Sequence, residues 1–239
     1  MPLPKISTPT YELELPSTGK TIQYRPFLVK EEKVLVIALE SEDTKQITTA
    51  IKTVIKNCIL TKGIKVEQLP TFDIEYLFLN IRGKSVGEVI EVNIVCPDDE
   101  ETPVKIEINL DDIQVQKNDE HTNKIKLDDE IMMQMKYPSL DEFIKNNFDL
   151  ENGSEMDQSF ELIASGIDTI FTADEVWAAS DCTKKEIRDF IESMNSSQFK
   201  EIEKFYATMP KLSHVVKVVN PKTKVESEVV LEGLASFFG

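Results

Sequence analysis

The spacing of apolar positions changes period repeatedly along this chain, and each change predicts a change of element. Tyr11, Leu13 and Leu15 alternate with Glu12 and Glu14, Ser17-Thr18-Gly19-Lys20 supplies turn chemistry, and Thr21 to Tyr24 returns as a second strand, giving an opening β-hairpin. Helical spacing follows over Lys30–Glu40 and Thr44–Leu60. In the second of these, Ile47, Ala50, Ile51, Val54, Ile55, Cys58 and Ile59 make one apolar stripe, with Lys52 and Lys56 opposite. A third helix is predicted after Leu69-Pro70: Thr71 or Asp73 can cap it, Ile74, Leu77, Phe78 and Ile81 recur at helical spacing, and Gly83 and Gly87 stop it.

After Gly87 the period becomes two. Ile90, Val92 and Ile94 oppose Val89, Glu91 and Asn93, and Val104, Ile106, Ile108 and Leu110 alternate with Lys105, Glu107 and Asn109, so two strands flank the turn Cys96–Glu101. Lys124–Leu127 and Ile131–Lys136 make a further pair around Asp128-Asp129-Glu130. Helices resume at Tyr137-Pro138, where Ser139 and Glu142 have capping-box spacing, as do Thr183 and Glu186. The stretches 156–171, 184–194 and 197–208 read as amphipathic helices, with Phe160, Ile163, Ile167 and Ile170, then Ile187, Phe190 and Ile191, then Ile202, Phe205 and Tyr206 on their buried faces. A last hairpin joins Val215–Val219 to Val225–Leu231 around Asn220-Pro221-Lys222-Thr223.

The expectation is an α+β protein in four segments. Residues 1–87 hold an N-terminal arm, hairpin and helices, 88–137 a β-rich insertion, 138–210 a helical segment, and 211–239 a terminal hairpin with a short helix and apolar tail. Prolines at 2, 4 and 9 keep the first ten residues extended, as an arm that lies on a neighbour or stays disordered. The hairpins beginning at Val92 and Val215 look alike, each with a strand, an X-Pro turn, a strand, then a leucine with a second aliphatic three residues on; common ancestry and coincidence both account for it.

Composition narrows the function classes. At 239 residues and 41% hydrophobic the chain can bury a substantial core. With 43 acidic against 27 basic side chains its formal net charge is −16, which repels a phosphate backbone and makes nucleic acid an unexpected partner. No run of about eighteen apolar residues exists, and the opening MPLPKISTPTYELELPS has prolines where a signal peptide has an apolar core, so neither secretion by that route nor a membrane span is expected. Cys58, Cys96 and Cys182 do not suggest a disulfide framework; Cys58 falls on an apolar helix face, as a buried free thiol does.

Candidate chemistry fails on context. Gly83-Lys84-Ser85 mimics the end of a phosphate-binding loop, yet Phe78 stands where that loop needs glycine, and a helix precedes the turn where a strand should. Cys96-Pro97 resembles one knuckle of a zinc ribbon, but no CxxC or HxxxH pair supplies the other ligands, and only His121 and His214 could help. The acidic runs at Asp98–Glu101, Asp111-Asp112, Asp119-Glu120 and Asp128–Glu130 lack the ligand order of a calcium loop and read as solvated faces, or as an electrostatic docking surface through Asp98, Asp99, Glu100 and Glu101. Leu231, Leu234, Phe237 and Phe238 have spacings compatible with one helical face that docks on the protein itself or on a partner. Trp177 reads as core.

Four long, order-preserving stretches carry a resemblance: FLVKEEKVLVIALESED at 27–43, AIKTVIKNCI at 50–59, LPTFDIEYLFLNIRGKSVGE at 69–88 and LEGLASFF at 231–238. Together the chain resembles the baseplate protein family of T-even-type contractile-tailed bacteriophages over nearly its whole length, in the version found in marine and cyanobacterial myoviruses. Members are described as baseplate hub subunits or hub-assembly factors. The resemblance implies a non-enzymatic protein with no catalytic residues, cofactor or metal. Its expected partners are other hub proteins or a second copy of itself, in the host cytoplasm during assembly and in the virion baseplate. A tail-assembly chaperone absent from the finished virion is the alternative, and a metal- or nucleotide-dependent assembly enzyme the third reading. Relatives with cysteine pairs in the late hairpin would imply a zinc knuckle; here Asn220-Pro221 stands in that place.

Overall fold

Residues 6–140, 155–233 and 236 are described by a computed structural model of the chain, and their architecture is mixed α+β. Two compact units divide it, one formed by Met1–Gln116 with Lys211–Gly239 and the other by Lys117–Pro210. The boundary at Gln116 falls within the β-rich stretch 88–137.

In the first unit, β1 (Tyr11–Glu14) and β2 (Thr21–Tyr24) form the expected hairpin, with Tyr11 opposite Tyr24. Three helices follow: α1 (Val29–Glu40), α2 (Thr44–Cys58) and α3 (Thr71–Val86). Asp43 caps α2 by accepting from the Lys45 and Gln46 N–H groups at 2.9 and 3.2 Å, and the stripe through Ala50, Val54, Ile55 and Cys58 is buried.

Two expectations for α3 are corrected. Pro70 occupies the N-cap, and Asp73, fully buried, instead accepts the Ser17 N–H at 3.0 Å and the Ser17 hydroxyl, tying the opening hairpin's turn to the helix. Gly83 does not end the helix: it lies within the last turn, where a Cβ would come 3.2 Å from Leu110 Cδ1, so its lack of a side chain serves close packing. Gly87, at φ +142°, is the residue that stops α3.

Beyond α3, β3 (Val89–Val95) pairs with β4 (Pro103–Asn109). The short strand β5 (Gln114–Gln116) pairs with β10 (Lys211–Val219), which pairs in turn with β11 (Glu226–Glu232), all antiparallel. Ile90, Val92, Ile94 and Ile108 from one hairpin and Leu212, Val216, Val218 and Leu231 from the other share one apolar core with Leu79 of α3. Leu110 and Ile113 bracket a 3₁₀ turn and close it.

The second unit is a four-stranded antiparallel sheet in the order β6 (Lys124–Lys126), β7 (Met132–Met135), β8 (Ile167–Phe171), β9 (Val176–Ala178), with helices α4 (Glu155–Gly166), α5 (Lys184–Glu192) and α6 (Ser196–Thr208). The helix expected over 156–171 ends at Gly166, and Ile167–Phe171 is a strand between β7 and β9, where β-branched side chains pack well on the pleat. Gly166 is required at that change of direction, since a Cβ would fall 2.1 Å from the Tyr206 hydroxyl, which donates to the Leu162 carbonyl at 3.1 Å.

The Thr183/Glu186 capping box forms as expected, with the Glu186 N–H donating to Thr183 Oγ1 at 3.2 Å and the Thr183 N–H donating to Glu186 Oε2 at 2.7 Å. Asn195 and Gln198 make a second box at the start of α6, one that the sequence reading missed. Trp177 is not core: it is 41% exposed on the edge strand β9. The arm residues Pro2 and Pro4, Glu142 of the first capping box, and Leu234, Phe237 and Phe238 of the tail lie outside the described residues.

Candidate interaction surfaces

The strongest surface feature is the outer side of α1. Residues 34–39, VLVIAL, are apolar without interruption, so no rotation of the helix can bury them all. What α1 turns inward is Glu31 and Ala38; Val29, Val36, Ile37 and Leu39 face solvent, Ile37 at 55% exposure.

Its inner side is set by a buried ion pair. Glu31 accepts from the Arg25 guanidinium at 3.0 Å and from the Leu28 N–H at 2.9 Å, while Arg25 also donates to the carbonyls of Pro26 and Asn57 at 2.8 and 3.0 Å. Burial pushes the Glu31 carboxyl up, but the bonds from Arg25, the Leu28 N–H and Lys30 outweigh it, and its pKa lies below the ordinary carboxylate value. With both polar partners fixed inward, the apolar residues are left outward. Sequence reasoning saw this helix and missed its outer face; the unbroken apolar run was the available signal.

Of the predicted contact residues, Leu231 and Asp98 to Glu101 are among the described ones. Leu231 is buried in the core shared by the two hairpins. Asp98 receives hydrogen bonds from Asn220 and Thr223, and Asp99 caps its own turn by accepting from the Glu101 and Thr102 N–H groups at 3.1 and 3.0 Å. Glu100 and Glu101 are exposed at the tip.

Two clefts lie in the second unit. One, of about 490 Å³, runs between β6 and α6 and mixes Lys124, Lys126 and Lys204 with Glu120 and Glu201. The other, of about 310 Å³, is apolar, lined by Ile131, Ile170, Trp177 and Phe190. Next to the first, His121 stacks on Tyr137 with ring centroids 5.6 Å apart and lies 5.2 Å from Phe205.

Both ring nitrogens of His121 are engaged, Nδ1 with Thr208 Oγ1 and Nε2 with Tyr137 Oη, each at 2.9 Å. Because the Thr208 hydroxyl donates to the Lys204 carbonyl at 2.7 Å, it accepts from Nδ1–H, and Nε2 accepts from Tyr137. Burial holds this imidazole below its usual pKa, in the neutral form that the arrangement requires. Cys58 is buried, its thiol pushed up to about 11 by desolvation. Among the described residues, no three His, Cys, Asp or Glu side chains converge as metal ligands, and no helix is long and apolar enough to cross a membrane.

Residues 8–239 match the family model described as T4 bacteriophage base plate protein. The chain belongs to that family. The match covers the strands and helices of the first unit and the whole of the second, so both α1 and the clefts are parts of a base plate protein. No curated protein and no solved structure matches the chain. Membership carries a role in the structure or assembly of the phage tail baseplate, among other baseplate proteins.

Proposed function

We propose that this chain is a non-enzymatic subunit or assembly factor of the baseplate hub and works through contacts with other baseplate polypeptides. The observation that carries the reading is the outer face of α1. A helix that turns a carboxylate and an alanine inward and exposes Val29, Val36, Ile37 and Leu39 needs cover, and in a family of base plate proteins another baseplate polypeptide supplies it. The net charge of −16 favours a partner with a basic rim around its apolar centre over a second copy of the same acidic chain. Glu100 and Glu101, exposed at the β3–β4 turn, are a separate candidate contact for a basic partner. The engagement of both His121 nitrogens supports a structural role for that residue.

Mass spectrometry of purified particles beside infected-cell lysate tests the reading. A stoichiometric amount in the particle identifies a hub component. Presence in a lysate complex with hub proteins and absence from particles identifies an assembly chaperone. Co-purification with peripheral baseplate proteins alone rejects the hub assignment. A V36E/I37E variant is expected to fold and to drop out of the complex; retention would reject α1 as the contact.

A further inference from the structure

Two turns in the first unit repeat one another. Cys96-Pro97-Asp98-Asp99-Glu100 leads from β3 toward β4, and Asn220-Pro221-Lys222-Thr223-Lys224 leads from β10 toward β11. The leading residue is buried in each, Cys96 at 1% and Asn220 at 0% exposure. Its carbonyl accepts from the N–H four residues on, Glu100 in one turn and Lys224 in the other, both at 2.9 Å. That fourth residue takes a left-handed backbone in each, φ 55° at Glu100 and 64° at Lys224, where a side chain is disfavoured. The third residue on also plays one part in both, since its side-chain oxygen accepts a backbone N–H two residues further along: Asp99 from Glu101 at 3.1 Å, Thr223 from Val225 at 3.3 Å.

Positions 96 and 99 in one turn and 220 and 223 in the other thus repeat the i, i+3 spacing by which a zinc ribbon draws two ligands from each of two knuckles. The residues present do not fit a metal. Cys96 is the sole thiol at the four positions, and Asn and Thr are poor ligands for the metal of such a site. Asp99 is engaged within its own turn through Thr102 as well as Glu101. The Asn220 side-chain oxygen Oδ1 accepts from the Lys222 and Thr223 N–H groups at 2.8 and 3.3 Å.

What joins the turns is a carboxylate. Asn220 Nδ2 donates to Asp98 Oδ1 and Oδ2 at 3.0 and 3.1 Å, and the Thr223 hydroxyl donates to Oδ2. We propose that the two turns form a metal-free knuckle clasp, in which the Asp98 carboxylate seated on Asn220 and Thr223 closes a four-position metal scaffold and locks β3–β4 to β10–β11 without an ion. The Asp98 carboxyl is held below the usual range by the Thr223 and Asn220 bonds, as a carboxylate in this role must be. The inference stands on the geometry of the turns and is independent of the hub reading.

The test is restoration. In the full-length chain, D99C, N220C and T223C beside native Cys96 supply four thiolates. We expect one zinc per chain by elemental analysis and, with cobalt(II), the intense visible bands and thiolate charge-transfer absorption of a tetrahedral site. The native protein is expected to hold no stoichiometric zinc and to melt at the same temperature with and without a chelator. A folded triple variant that leaves cobalt(II) octahedral overturns the proposal, and so does a native protein that carries one zinc.

A double-mutant cycle decides the matter even if the triple variant fails to fold. D98A and N220A should each lower the melting temperature by about 3–6 °C, and the double variant by little more than the larger single change. Additive losses, or none, would mean that no clasp exists.

Discussion

Helices α1 and α2 are consecutive, similar in length and packed on each other, yet they use their apolar residues in opposite ways. In α2 the buried positions are Ala50, Val54, Ile55 and Cys58, and Lys56 and Asn57 face water. In α1 a carboxylate and an alanine are inside, while Val29, Val36, Ile37 and Leu39 are outside. The apolar content of α2 is consumed by folding. That of α1 exceeds what folding uses, and the excess is what the proposed association would cover. The difference is one of periodicity more than of hydrophobicity: a stripe can be buried by one neighbour, whereas the unbroken run VLVIAL leaves apolar residues outside whichever side packs.

The largest expected effect is on the buried side. Ile55→Ala, at a fully buried position, should lower unfolding free energy by about 2–5 kcal/mol in a urea titration. A loss below about 1 kcal/mol would erase the contrast, because α2 would then be no more a core helix than α1.

Glu31→Ala comes next. It removes the acceptor of the Arg25 and Leu28 N–H bonds, at an expected cost of about 1.5–3 kcal/mol, and should fray the first turn of α1 in hydrogen exchange while leaving α2 protected. Equal loss of protection in both helices would show that the ion pair supports the whole unit and has no special bearing on α1.

Acidity and alkalinity should separate the two helices more gently. The folded pKa of Glu31 lies below its unfolded value of about 4.3, so the unfolded state binds more protons in that range. The contribution of Glu31 to stability is complete above that pH and is lost as pH falls through the folded pKa. Cys58 runs the other way: its thiol, at about 11, keeps its contribution below the unfolded value of about 8.5 and loses it as pH rises toward 11. Protection factors in α1 should therefore decline first in acid and those in α2 first in alkali, with the reverse order refuting the assignment.

Ile37→Glu is expected to have the smallest effect on stability, within about 0.5 kcal/mol, and to abolish co-purification with baseplate partners. A fall in melting temperature comparable to that of Ile55→Ala would place Ile37 in the core and dissolve the comparison.

The α+β class and most elements were legible because their periods are unambiguous, as in α2 or in β3 with Ile90, Val92 and Ile94 on one face. The segment Ile167–Phe171 was not, for a specific reason. Ile163, Ile167 and Ile170 stand at i, i+4 and i+7, so one set of isoleucines satisfies a helical template although the last two belong to a strand. Pairing with β7 and β9 decides the matter, and β7 is more than thirty residues away.

The site was less legible than the fold. The likeness of the two hairpins could be seen in the sequence. Their joining through Asp98 and Asn220, across 122 residues, could not, and neither could the contact of Ser17 with Asp73. Nothing near His121 announces its place between Tyr137 and Phe205. The outer face of α1 was written plainly in VLVIAL, but a helical reading asks which residues recur, and in that run every residue does.

The pairing of β5 with β10 has a consequence for how such a protein can change over time. Gln116 and Lys211 are opposite one another in adjacent strands, so the chain leaves the first unit and re-enters it about one strand spacing apart, roughly 5 Å. Whatever occupies 117–210 hangs from a doorway that a two-residue turn could close. Such a region can be enlarged, trimmed or exchanged as a cassette while the β5–β10 ladder holds its place.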